Sequence, residues 1–390
     1  MKTYVTVVLL ASCLLSFFHS ASAQKFESYR LLADTIWNST NLGYERPLQI
    51  HVPLEYQKEH NQRKYPVILI FDQQNKRAYQ YLLSTIDYLT SVDQMPASII
   101  VGVQSNELNR YYETQLIQAD PLAKGEQNEQ FIIKELLPWL QNSLQGSTFT
   151  MLMGHSRYGF FTTHLWQKYP SKIQACIASS PFFFQENVNL VDSMAVVFKK
   201  ANAFPTKSYY SFGIGNDYPD DYKKMIEKIA AFQSSNILIN GEMFKEADHH
   251  ATPGLLANHS LYKIFEYWNT QQIQYFKKAL PNKDSLKRYM DEIEKHYGSP
   301  ISFSLGTMNG KGWDYYGKEQ YQQAIDAWTL ALEHYPSFTE FYLFIAGALK
   351  KSGKPYIEWI NRFKKELPNS QFYTADEKAQ LLEELKQEGY

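Results

Sequence analysis

Short apolar runs alternate along this chain with segments whose apolar side chains recur every three or four positions. Strand-like runs fall at 47–53, 65–71, 98–104, 149–154, 173–179, 208–214 and 236–243, and helix-like segments at 75–92, 127–144, 157–169, 219–233 and 255–272. Strand and helix signals in alternation predict an α/β fold, a mostly parallel sheet with helices on both faces. Two stretches without clear periodicity, 105–126 and 181–206, are long enough to wall or cover a site. The second begins with Phe182-Phe183-Phe184, directly after a strand end, where an aromatic run either lines an acyl or aryl pocket or joins the core.

The pattern changes near Pro281-Asn282-Lys283-Asp284-Ser285, after which no strand signal recurs. From Gly312 onward, Tyr315, Tyr321, Ala324, Trp328, Ala331 and Pro336 stand at the offsets of one tetratricopeptide-like helix pair, with a weaker echo over 338–351. The expected organisation is therefore a sheet-and-helix domain over 24–275 and a small all-α tetratricopeptide-like region over 286–390. That region is either a stabilising cap or a surface for a protein partner.

The first residues read as an address. Lys2, the apolar run Val5 to Phe18 and Ala21-Ser22-Ala23 predict a signal peptide over 1–23, with export to the periplasm or the medium. A competing signal, Leu10-Ala11-Ser12-Cys13, fits a lipoprotein box and would anchor the chain through Cys13. With either cleavage, at most Cys13 and Cys176 remain, and cleavage after Ala23 leaves Cys176 alone, without an intramolecular disulfide. No other run is apolar for the roughly 18 to 20 residues a bilayer span needs. A net charge of −1 with interspersed signs gives no electrostatic case for nucleic acid. Aromatic residues make up 15% of the chain, with 29 tyrosines, a supply of amphipathic rings suited to sugar or aromatic ligands as well as to the core.

The candidate chemistry sits where a strand meets a helix. Gly154-His155-Ser156-Arg157-Tyr158-Gly159 follows the apolar run Phe149 to Met153 and opens the helix-like segment 157–169. A serine on such a turn is the pattern of a nucleophile elbow, which holds the hydroxyl clear of the sheet and aims the next backbone N–H groups at a developing oxyanion. A serine needs a base and an acid, in the chain order Ser, Asp or Glu, His. Asp217 follows the strand-like 208–214, with Asp220 and Asp221 as neighbouring candidates. His249 precedes the helix-like 255–272, with His250 beside it. His155 and His164 read as structural.

These stretches taken in order resemble the esterase D-like branch of the α/β-hydrolases, a group that includes siderophore esterases similar to enterobactin esterase and feruloyl and acetyl carbohydrate esterases. The resemblance is carried by Ser39 to Arg46 with Leu48 to Pro53 and Tyr56, by Tyr65 to Asp72, by Ile99 to Val103 with Asn109, Arg110 and Glu113, by Phe131 to Leu140, by Ala178 to Pro181, and by Asp248-His249 with Pro253. It spans residues 35 to 272. It implies an α/β-hydrolase fold, with Ser156 as nucleophile, His249 as base and Asp217 as acid. It departs at Tyr158, where the family usually keeps a small residue.

The mechanism so implied is two-step acyl transfer, with the oxyanion held by the backbone N–H of Arg157 and of Gln73. No cofactor and no metal is called for. The expected partner is a small-molecule or carbohydrate-linked ester, with Arg110 a candidate contact to an anionic substrate. A second class of function, a catalytically impaired hydrolase-like binding or scaffold protein working through its helical tail, draws on Tyr158.

Overall fold

The computed structural model describes residues 26–57, 63–117, 119–201, 204 and 206–387. The expected signal segment 1–23 and Cys13 lie outside the described residues. Eight strands form one sheet in the order β1-β2-β4-β3-β5-β6-β9-β10. They are β1 (Tyr29–Ser39), β2 (Tyr44–Pro53), β3 (Tyr65–Phe71), β4 (Ile99–Val103), β5 (Gly146–His155), β6 (Ala175–Ser179), β9 (Ser208–Ile214) and β10 (Ile237–Met243). β7 (Phe184–Gln185) and β8 (Val188–Asn189) make a separate small hairpin. β2 runs antiparallel to β1 and β4, and every other pairing in the large sheet is parallel.

The central strands explain why the sequence signal is strong there. β3, β4, β6 and β9 are buried at every position, as strands covered on both faces must be. β1 carries no comparable run: it lies at the sheet edge, alternates between partly buried and exposed positions, and shifts register between Leu31 and Ala33. It therefore adds a strand to the sequence-derived set. The stretch 181–206 is likewise more ordered than expected, holding the small hairpin and a helix, Leu190–Lys200. Leu190, Met194 and Val197 bury one face of that helix, and the Asn189 side chain caps it by accepting from the N–H groups of Val191 and Asp192. The stretch 105–126 contains a short helix, Glu107–Tyr112.

Helices cover both faces. On one, Lys76–Ser91 and the long helix Thr252–Lys278 pack over Ile68, Met151 and Ile177; on the other, Phe131–Leu136, Leu137–Ser143 and Arg157–Lys168 pack over Leu69, Leu152 and Cys176. The first apolar cluster does not stop at the sheet. It continues through Trp268 and Tyr275 of the long helix into Tyr297, Phe303, Trp328 and Phe341. From Lys283 onward the chain is all-helical, with successive helices Lys283–Tyr297, Leu305–Gly317, Tyr321–His334, Glu340–Lys351, Ile357–Glu366 and Ala375–Gln387. Lys311 joins the two parts: its ammonium donates to the carbonyls of Tyr275 and Phe276 at 3.0 Å each, in the last turns of the long helix, where the helix dipole favours a cation. Burial pushes its pKa down to about 8. No helix among the described residues is long and apolar enough to cross a membrane.

Trp328 is the aromatic hub of the helical region, fully buried, with Trp313 and Phe344 at ring distances of 5.0 and 5.5 Å and its indole N–H on Asn309 Oδ1 at 3.1 Å. Trp328→Ala is predicted to cost about 3–5 kcal/mol of stability, the range for emptying a buried aromatic site. A urea melt checks it; a midpoint unchanged from wild type would show that the helices do not depend on this side chain.

Candidate functional site

Ser156 stands between β5 and the helix Arg157–Lys168 with φ 59° and ψ −117°. Positive φ in a residue with a Cβ is strained, at a cost of about 1–3 kcal/mol, and needs surrounding structure to hold it. That structure is visible. Ser156 N–H donates to Ser179 O at 2.9 Å across to β6, and Ser156 O accepts from Phe160 N–H at 3.0 Å. A Cβ on Gly154 would lie 2.3 Å from Tyr158 O, so backbone packs directly on backbone at the turn. A Cβ on Gly159 would meet Ser179 O at 3.1 Å.

Tyr158, the departure from the usual elbow, fits because its side chain leaves the turn downward. It is fully buried, its ring stacked on Phe71 at 4.5 Å, and its hydroxyl donates to Glu113 and lies 3.0 Å from Ser105 Oγ. Glu113 also receives Arg46, Ser105 and the Tyr44 hydroxyl. Burial alone would raise the pKa of this carboxyl, but the Arg46 guanidinium opposite, with the hydroxyls of Ser105 and Tyr158, outweighs it and holds the group below the ordinary carboxylate value.

The acid and the base come together from the ends of β9 and β10. His249 Nδ1 lies 2.5 Å from Asp217 Oδ2. Since a carboxylate only accepts, Nδ1 carries the proton and Nε2 is left as an acceptor. His250 and the helix-borne Asp220 and Asp221 do not make this pairing. The His249 loop is tied down by its neighbours: Asp248 Oδ1 accepts from the N–H groups of His250 and Ala251, each at 3.0 Å, and His249 O accepts from Thr252 Oγ1 at 3.1 Å and from His155 Nε2 at 2.8 Å. Through His155, the residue before Ser156, the histidine loop is docked on the elbow, with the two rings 4.6 Å apart.

The remaining sequence candidates fare differently. Arg157 N–H opens its helix and has no intrahelical acceptor. Its side chain turns away, donating to Thr114 Oγ1, Tyr111 O and Gln115 Oε1 and lying over the Tyr111 ring at 4.1 Å. Gln73 N–H is not turned toward Ser156 but donates to Val103 O at 3.2 Å, continuing the β3–β4 pairing. The next N–H, that of Gln74, has no acceptor among the described residues. Arg110 forks onto Asp72 at 2.6 and 2.7 Å and reaches His155 O at 3.3 Å, with a quarter of its side chain exposed. Asp72, at φ 62°, was not singled out from the sequence, although its place just past a core strand, with Arg110 in the following loop, was the available signal. His164 pairs with Glu129 at 3.2 Å, and burial pushes the Cys176 thiol up to about 12. Among the described residues no group of three or more His, Cys, Asp or Glu side chains is arranged to hold a metal ion.

Comparison with known proteins bears on this geometry. Residues 39–228 match the family model described as "putative esterase". That part of the chain resembles this esterase family. No curated protein matches the sequence. Among solved structures, an IroE-like serine hydrolase from Shewanella oneidensis superposes with a TM-score of 0.61 at 16% identity, covering 78% of this chain and 99% of its own. An uncharacterised protein from Capnocytophaga ochracea gives 0.59 at 13%, covering 86% and 94%, a likeness that extends into the C-terminal helices. The BES protein from Bacillus cereus gives 0.51 at 15%, covering 62% and 97%. The fold is that of the α/β-hydrolases.

The site also sets an acid limit on the fold. Burial first, and then the nearby His249 and Arg110 charges, push the His155 imidazole down to about 4, and burial does the same to His51 and His296. The unfolded chain, with histidines near 6.5, then binds protons that the folded chain refuses, so stability is full above about pH 6.5 and is lost as pH falls through that value toward 4. Urea midpoints should fall between pH 7.5 and 4.5, and His155→Asn should make the fall shallower. Parallel pH curves for the two proteins would remove His155 from this account.

Proposed function

We propose that the protein is a secreted serine esterase that hydrolyses carboxylic esters through an acyl-enzyme, with Ser156 as nucleophile, His249 as base and Asp217 as its orienting acid. The observation that carries this reading is the 2.5 Å pairing of His249 Nδ1 with Asp217, on a loop docked against a serine held at φ 59°. Ser156 Oγ attacks the ester carbonyl carbon while its proton passes to His249 Nε2. The carbonyl oxygen becomes an oxyanion facing the Arg157 N–H and, across the cleft, the Gln74 N–H, which takes the place expected of Gln73. Collapse breaks the bond to the alcohol, which leaves with the proton from His249. Water then repeats the sequence on the acyl-enzyme and releases the acid.

The substrate classes favoured by the sequence resemblance are siderophore-type lactones and carbohydrate-linked acyl esters. Arg110 has one nitrogen, Nη1, without a hydrogen bond among the described residues, and that is the part of it left to meet an anionic group. The scaffold-protein reading rested on Tyr158, and that side chain lies under the turn, where it does not obstruct Ser156.

A fluorophosphonate probe tests the nucleophile without assuming a substrate. Wild type should label, Ser156→Ala should not, and His249→Ala should label far more slowly. A folded wild type that stays unlabelled would end the esterase reading for this chain. Asp217→Asn should keep the fold and lower kcat on p-nitrophenyl esters by roughly 10³–10⁴-fold, because the amide favours the wrong imidazole tautomer. A loss of less than about tenfold would show that the acid is dispensable.

A further inference from the structure

The geometry points to Tyr158 as a positioning residue that fixes the two halves of the oxyanion site relative to each other, through a closed ring of hydrogen bonds that begins and ends on the elbow. The inference rests on the esterase reading above and concerns a side chain that touches no substrate.

The ring can be followed atom by atom. Tyr158 OH and Ser105 Oγ both donate to Glu113 Oε1, which joins them and holds their oxygens 3.0 Å apart. Ser105 N–H donates to Gln74 Oε1 at 2.9 Å, and Gln74 Nε2 donates to Asp72 Oδ1 at 2.9 Å. Asp72 takes the Arg110 fork, and Arg110 Nη2 returns to His155 O at 3.3 Å. Tyr158 and His155 flank Ser156 and Arg157, so the circuit starts and finishes on the turn that carries the nucleophile and the first N–H donor. Its middle passes through the turn 72–75, closed by Asn75 N–H on Asp72 O at 2.8 Å, which carries the second donor at Gln74. Both ends of the Gln74 side-chain amide are used, so that side chain is held from two sides.

A second contact ties the same two segments. The Tyr158 ring stacks on Phe71, the last residue of β3 and the one that leads into Asp72. The hydroxyl has its own anchor, the Glu113 carboxylate, which Arg46 fixes from β2. Tyr158 therefore couples the elbow to the opposite loop by stacking and by hydrogen bonding at once. An oxyanion site works only if its donors are in place before the charge develops, and the separation of Arg157 N–H and Gln74 N–H is the dimension this ring controls.

The test uses Tyr158→Phe, which keeps the stacked ring and removes only the hydroxyl, with Ser105→Ala as a smaller change at the next link and the double variant to close the cycle. With p-nitrophenyl acetate, Tyr158→Phe is expected to lower kcat about tenfold or more, short of the roughly hundred- to thousandfold loss of an oxyanion donor itself, with KM within about twofold of wild type. Affinity for phenylboronic acid, which adds Ser156 Oγ and places an anionic oxygen in the oxyanion site, should fall by the same factor as kcat. Ser105→Ala should behave likewise, and the double variant should be no worse than the poorer single one, because the two residues act in one chain.

An unchanged kcat in Tyr158→Phe overturns the inference, as does a double variant whose losses multiply. A kcat loss without any loss of boronate affinity overturns it too, since that pattern belongs to general loosening of the fold. A wild type that takes no fluorophosphonate label removes the esterase reading together with this one, whereas a labelled wild type with an unaltered Tyr158→Phe removes this one alone.

Discussion

A carboxylate buried at the foot of the elbow has to be neutralised where it stands, and that requirement organises the loops around the site. Glu113 is fully buried, and water cannot share its charge. Arg46 meets it from β2, Ser105 from the loop after β4, Tyr158 from the elbow helix and Tyr44 from the start of β2. Three segments distant in sequence are thereby brought to one pair of oxygen atoms. A buried ion pair gives little net stability over an apolar substitute, but losing one partner strands the other charge at a cost of about 3–5 kcal/mol. The arrangement is thus a device for register: loops satisfying the carboxylate in any other relation would leave it unpaired.

Register matters here because the site is assembled from strand ends. β3, β5, β9 and β10 each stop at the same edge of the sheet and each contributes one element: the turn 72–75, the Ser156 elbow, Asp217 and the His249 loop. Parallel pairing fixes the strands to one another, yet the functional groups lie one to six residues beyond the last ladder bond. Side-chain contacts do the rest. His155 holds the His249 carbonyl, Arg110 ties Asp72 to His155, and Glu113 holds the elbow helix against Ser105.

What could be read from the sequence follows the same division. The elbow was legible because its requirements are local: an apolar strand, a glycine where backbone meets backbone at Gly154, a serine and a helix. The doubly covered strands were legible for the same reason, since burial on both faces leaves continuous apolar runs. Which of His249 and His250 meets Asp217 turns on tertiary contacts that the order of motifs does not contain. Gln73 and Gln74 show the limit. They are adjacent and chemically identical, and only the pairing of β3 with β4 decides which N–H is consumed by Val103. Tyr158 looked like a defect because a linear motif reserves its place for a small residue. The partners that make room for it, Phe71, Ser105 and Glu113, lie 45 or more residues away in the chain.

The helical region belongs to the same mechanical unit as the site. The helix Thr252–Lys278 begins three residues after His249, and its first residue, Thr252, donates to the His249 carbonyl. Its far end is held by Lys311, which caps two of its carbonyls, and its flank by Trp268, whose indole N–H donates to Ser302 O. A helix of 27 residues is about 40 Å long at 1.5 Å per residue, and an unsupported rod of that length transmits movement at one end to the other. Packing its C-terminal half into the aromatic cluster of Tyr297, Phe303 and Trp328 removes that freedom. The helices after Lys283 thus share one apolar core with the long helix, whose first residue holds the His249 carbonyl.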